Sequence, residues 1–180
     1  KYIFTLYIPF ISYRLYLKFM TVQINYKNRD LKKITSNLVL FVGEKFNITG
    51  LNKHISKDEF AYISDLLKTS DLKKNLFVFE IDSKKKVVLI SIKNNLKISE
   101  VENLGAEFYG RLNHGKNNDY NLILESINSK EKNFIGHFLH GLRLKSYEFK
   151  KYKTKKENRN ISINVIGNKN KPSTQNQIKF

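Results

Sequence analysis

Two histidines three residues apart, His137 and His140, lie in the stretch GHFLHGLRLKSYEFKKYKTKK (136–156). On a helix they are neighbours, and paired imidazoles hold a zinc ion when further ligands join them. The same stretch carries Tyr147, Phe149 and Tyr152 among lysines, a combination that stacks against and neutralises a single nucleic-acid strand. Each chemistry has a plainer competitor. At about 100° per residue, Phe134, Ile135, Phe138, Leu139 and Leu142 fall on one side of the helix, and the two histidines fall almost opposite. No carboxylate joins them at a matching spacing, so the pattern predicts surface histidines facing solvent and no metal site. Tyr147 and Phe149 are two apart and point the same way in an extended segment. They are expected to anchor the chain against the domain after the helix, beside a solvated lysine run.

The remaining polar residues form no catalytic constellation. The chain has no Cys, which removes thiolate ligands, a thiol nucleophile and disulfides. Asp58/Glu59 and Glu100/Glu102 fall in the first turns of predicted helices, where capping and the macrodipole explain them. GAEFYG (105–110) lacks the Gly-Lys-Ser/Thr ending of a phosphate loop and lies inside a helix. His114 and Asp119 in NHGKNNDY read as a polar turn. The residues therefore assign no catalytic side chain and no metal ligand.

The elements that must position these residues come from a chain of 180 residues with 41% hydrophobic and 13% aromatic content. That suffices for one domain with an appendage, burying roughly two thirds of its unfolded surface. The formal net charge is +17, and a balance this basic points to nucleic acid or another anionic surface. However, the charge is almost all Lys. The only arginines are Arg14, Arg29, Arg111, Arg143 and Arg159, and Arg is the preferred residue for bidentate phosphate and guanine contacts. Abundant Lys, Asn and Ile are also what AT-rich coding DNA produces.

Residues 1–19, KYIFTLYIPFISYRLYLKF, are apolar and aromatic but interrupted by Pro9, Arg14 and Lys18. They lack the run of about 20 apolar residues that a membrane span needs. Met20 is the only methionine, and residues 1–19 are expected to be upstream read-through or a non-native extension before a start there, with a membrane-associating anchor as the alternative. From that point the chain alternates. VQINY (22–26) and NLVLFV (37–42) are predicted strands. Ser56 with Glu59 forms a capping box, opening a helix whose Phe60, Ile63 and Leu67 share a face. NLFVFEID (75–82) and KVVLISIKN (86–94) read as a hairpin. Ser99 with Glu102 repeats the capping box, before a stripe of Val101, Leu104, Gly105, Phe108 and Leu112. Gly105 and Ala106 are expected to let that helix approach a sheet closely. YNLILESI (120–127) is a strand, Ser129 opens the helix of the two histidines, and ISINVI (161–166) is a last strand. Helices interleaved with apolar strands predict an α/β fold with a mixed central sheet covered on two faces. Residues 167–180 read as a polar linker.

The helix with Gly141 running into Tyr147, Phe149, Tyr152, Lys153, Thr154, Lys155 and Lys156 resembles the end of the N-terminal domain of the cytosol leucyl aminopeptidases. The helix around Leu104, Gly105 and Ala106 resembles that family's Leu-Gly-Ala helix. The resemblance spans about residues 20–180, with 20–166 as the N-terminal domain and 167–180 as a linker toward a catalytic domain. It implies a three-layer α/β/α, macro-domain-like fold. It also implies a cytoplasmic homo-hexameric parent enzyme that removes N-terminal residues from peptides using two divalent metals, zinc or manganese. Those metals and the catalytic residues belong to the family's C-terminal domain. Its Asn-Thr-Asp-Ala-Glu-Gly-Arg segment is absent here, so no catalytic or metal position is carried over and no cofactor is expected in this chain. A basic nucleic-acid-binding α/β module is the alternative. A macro-like domain binding ADP-ribose ranks below both, because no Gly-rich loop follows a strand to cradle a diphosphate.

Overall fold

The computed structural model describes residues 22–27, 36–112, 118–128, 133–147 and 161–167. Six strands, β1 (Val22–Lys27), β2 (Asn37–Val42), β3 (Leu76–Glu80), β4 (Lys86–Ser91), β5 (Asp119–Ile123) and β6 (Ile161–Ile166), form one sheet in the order β1-β6-β5-β2-β4-β3. Every neighbouring pair is parallel except the β3–β4 hairpin, which is antiparallel. Among the described residues three helices cover it: α1 (Lys57–Lys68), α2 (Ile98–Arg111) and α3 (Phe134–Ser146). The fold is the expected α/β with a mixed six-stranded sheet.

Strand periodicity divides the core in two. Val39, Phe41, Val88, Ile90, Leu122, Ile163 and Val165 face α2 and α3. Their neighbours Leu38, Leu40, Val87, Leu89 and Ile123 face the opposite way, where Ile63 and Leu67 of α1 meet them. All six residues of β2 are buried, as a central strand covered on both faces requires. Aromatic rings knit the α2/α3 side: Phe41 meets Phe134 and Phe138 edge-on, with centroids at 5.5 and 5.3 Å.

Local signals set most boundaries. Ser56 Oγ accepts from the Glu59 N–H at 3.2 Å while Glu59 Oε2 accepts from the Ser56 N–H at 2.9 Å, completing the expected box at the start of α1. The second cap is one-sided and forms elsewhere. Helix α2 begins at Ile98, and the Lys97 N–H donates to Glu100 Oε2 at 2.7 Å. Because Ile98 and Ser99 are already helical, Lys97 holds the orphan N–H and the glutamate three residues on caps it. Glu102 is thereby released for another partner. Strand β5 stops at Ile123, short of the expected span, because Leu124–Ser126 turn into a single 3-10 turn. There Ser126 Oγ accepts from the Phe41 N–H at 2.9 Å. Helix α3 starts after Asn133, which adopts a left-handed φ of 59°; the expected start at Ser129 lies outside the described residues, as do residues 1–19 and 168–180.

Candidate functional site

The residues singled out by the sequence converge on the crossing of α2 and α3. A Cβ built on Gly105 would stand 1.9 Å from the Phe138 carbonyl oxygen, and one built on Gly141 would stand 1.9 Å from that of Glu102. The two helices therefore touch backbone to backbone, each supplying the glycine that admits the other's carbonyl. Gly105 was expected to bring its helix close to the sheet; it brings it close to another helix. The stripe of Val101, Leu104, Phe108 and Leu112 does the work against the sheet, and all four are buried.

This crossing carries His140 to Glu102. His140 Nδ1 lies 2.8 Å from Glu102 Oε1, and both side chains are partly buried. The expectation of solvent-facing histidines is thus corrected: His137 and His140 are both half-buried. A carboxylate does join His140, but from the facing helix, which spacing along one helix does not reveal. The pair does not grow into a metal centre. Among the described residues no group of three or more His, Cys, Asp or Glu side chains is gathered closely enough to hold a metal ion.

Tyr147 follows α3 directly and is 68% exposed. It does not anchor the chain, contrary to the sequence expectation. The helix ends before its ring can turn inward, and Ser146, beside it, takes the buried position. Phe149, Tyr152, Lys153, Thr154 and Lys155 lie outside the described residues, as do Lys156 and His114.

Two polar features were not anticipated. One is a shallow cleft of about 160 Å³ at the C-terminal end of β4, lined by Asn75, Ser91, Lys93, Glu100, Asn103 and Glu107 among others. Its position suits a ligand, since open α/β sheets bind at the carboxyl ends of their strands. The Ser91 hydroxyl in it donates to the Gly43 carbonyl at 3.2 Å, and the lysine, carboxylates and amides that line it offer hydrogen bonding and charge. The other is a row of asparagines across three strands at one register level, Asn25, Asn164 and Asn121. Asn25 Nδ2 donates to Asn164 Oδ1 at 3.3 Å, and Asn164 Nδ2 donates to Asn121 Oδ1 at 3.1 Å. Asn121 Nδ2 donates onward to Ser36 Oγ and, at 3.4 Å, to the Asn37 carbonyl. Asn121 and Asn164 are buried, so each is a satisfied interior amide. The one sequence signal for the row is an Asn near the middle of each of the three strands.

Around Glu59, partial burial alone would raise the carboxyl pKa. The hydrogen bonds from the Lys85 ammonium and Ser56, with the lysine's charge, outweigh it and hold Glu59 below the ordinary carboxylate range. No described helix is long and apolar enough to cross a membrane.

No protein-family model matches the sequence, and no curated protein sequence matches it. Solved structures do share its fold. A tomato leucine aminopeptidase mutant superposes with a TM-score of 0.59 at 11% identity, covering 87% of this chain and 34% of that one. The macrodomain of Thermus aquaticus DarG superposes with a TM-score of 0.52 at 9% identity, covering 81% of this chain and 99% of that one. This chain thus spans about a third of the length of the tomato enzyme. At such identities the likeness is one of fold: a macrodomain-like α/β layer that also occurs within a leucine aminopeptidase.

Proposed function

We propose that the chain is the non-catalytic N-terminal domain of a leucyl-aminopeptidase-type metallopeptidase, an enzyme that removes N-terminal amino acids from peptides. The observation that carries this reading is the superposition of 87% of the chain on part of a leucine aminopeptidase. It is joined by the motif resemblance running from Gly105 and Gly141 to Lys155. In this reading the domain serves assembly of a cytoplasmic homo-hexamer and shapes access to the active site. Peptide substrate and two divalent metals, zinc or manganese, belong to a separate catalytic domain. The described residues of this chain do not fit such a metal pair, since a two-metal hydrolase clamps both ions between several carboxylate or imidazole ligands and no such group is gathered here.

Two measurements test the proposal. Sequencing the coding DNA beyond the codon for Phe180 should reveal a catalytic domain containing an Asn-Thr-Asp-Ala-Glu-Gly-Arg-like segment; a stop codon in its place overturns the reading. The purified chain should show no bestatin-sensitive hydrolysis of leucine p-nitroanilide.

The net charge of +17 favours a second reading, a nucleic-acid-binding module. Phosphate-dominated binding should weaken steeply between about 50 and 200 mM salt, and the absence of any shift with DNA or RNA at low salt removes it.

A further inference from the structure

The cleft at the C-terminal end of β4 holds charges of both signs that do not close on each other. Glu100, Asn103 and Glu107 line it from α2, and residues three and four apart share one face of a helix. The sheet side supplies Asn75 just before β3, Ser91 at the end of β4 and Lys93 two residues beyond it. Leu96 and Leu104 add apolar lining.

The chain engages these polar groups only in part. Glu100 Oε2 accepts from the Lys97 N–H at 2.7 Å, and Glu107 Oε2 accepts from the Asn75 side-chain amide at 3.4 Å. Each carboxylate keeps its other oxygen, and Asn75 keeps its amide oxygen as an acceptor. Lys93, Glu100 and Glu107 take part in none of the ion pairs among the described residues. An exposed ammonium and two carboxylates thus line one cleft with room between them. Other charged groups nearby have different roles or positions. Glu44 Oε1 accepts from the Asn94 N–H at 2.6 Å, and the Lys74 ammonium lies over the Phe77 ring at 5.9 Å. Lys73 and Lys97 stand outside the lining.

The lining selects the ligand by charge and size. Two carboxylates repel a phosphate or diphosphate, and Lys93 repels a bare cation. A metal ion lacks its ligand set, since no three His, Cys, Asp or Glu side chains gather among the described residues. The space of about 160 Å³ is below the ~300 Å³ at which pockets for drug-sized molecules begin. A small zwitterion meets both signs at once. We propose that this cleft binds a free α-amino acid with a small apolar side chain. Glu100 and Glu107 take its ammonium, Lys93 takes its carboxylate, and Leu96 and Leu104 meet its side chain. The Asn75 amide oxygen is a further acceptor for the ammonium. The site does not rest on the peptidase reading and stands or falls apart from it.

The test is an amide NMR titration of the full chain with L-valine, valinamide and isovalerate. Valinamide lacks the carboxylate and isovalerate lacks the ammonium. Exposed charge pairs are weak, so L-valine should give saturable shifts at the Ser91, Lys93 and Asn103 amides with a Kd of about 1 mM. Each truncated probe should bind at least about tenfold more weakly. Lys93→Met should weaken L-valine to the level of valinamide and leave valinamide unchanged. Glu100→Gln combined with Glu107→Gln keeps a side chain able to cap α2; it should weaken L-valine and leave isovalerate unchanged. The proposal is overturned if L-valine gives no saturable shift at about 10 mM, tenfold above the expected Kd. It is equally overturned if either truncated probe matches L-valine on the parent chain, or if the substitutions leave the affinity for L-valine as it was.

Discussion

The two faces of the sheet are covered by different means. Helices α2 and α3 meet each other through their backbones at Gly105 and Gly141. Across the sheet, α1 meets the strands through side chains alone, chiefly Ile63 and Leu67. Side-chain packing can relax around a deletion, whereas two peptide units in contact leave no room for an addition. The α1 face is itself divided, since beyond the apolar patch under α1 it carries the asparagine row on β1, β6 and β5. The molecule is least tolerant where helix touches helix, and it spends its buried polarity where its most distant strands pair.

The comparison breaks most sharply at Gly141. Gly141→Val forces a side chain into the Glu102 carbonyl, and urea denaturation should show a loss of more than about 4 kcal/mol or no folded protein. A loss below that of a core deletion on the α1 face would mean the crossing is slack. Ile63→Ala supplies that deletion: it should cost about 3 kcal/mol and leave a folded chain by circular dichroism. In the row, Asn164→Ala leaves the amide groups of Asn25 and Asn121 facing it without that partner, at about 2 kcal/mol in the same assay. The smallest effect concerns Glu59. Its carboxyl pKa is depressed in the folded chain, so the stability it contributes is present above the ordinary carboxylate pKa and disappears as pH falls through the lowered value. Glu59→Gln should therefore be less stable than the parent near neutrality, and the gap should close in acid. A gap that stays constant with pH would show that the Lys85 contact acts through packing alone.

Sequence patterns read some of these elements closely. NLVLFV and ISINVI match β2 and β6 residue for residue, because a continuous apolar run ending at Gly43 marks the first, and Ile and Val alternating with Ser162 and Asn164 up to Gly167 mark the second. The α2 stripe was legible for the same reason, since helical periodicity states which face is buried. What it does not state is the identity of the neighbour. Gly105 was read against the sheet, and His140 toward solvent, because nothing within either helix encodes the facing one. The cap of α2 moved because Lys97–Glu100 and Ser99–Glu102 have the same spacing. The asparagine row required a register shared by positions 25, 121 and 164, which is a property of the assembled sheet. The buried anchor expected at Tyr147 failed on where the helix stops.

The row of amides also bears on how the chain is made. Asn25 and Asn164 are 139 positions apart, and β6 is the only described neighbour of β1 in the sheet. On the ribosome, at about 5–20 residues per second, the first strand waits on the order of ten seconds for the last. During that interval the edge that will meet β6 lacks its partner, while β2, β3 and β4 have already emerged. Closing so long a loop is slow, and this pairing is the step at which folding is most exposed to capture by a chaperone or by a neighbouring nascent chain.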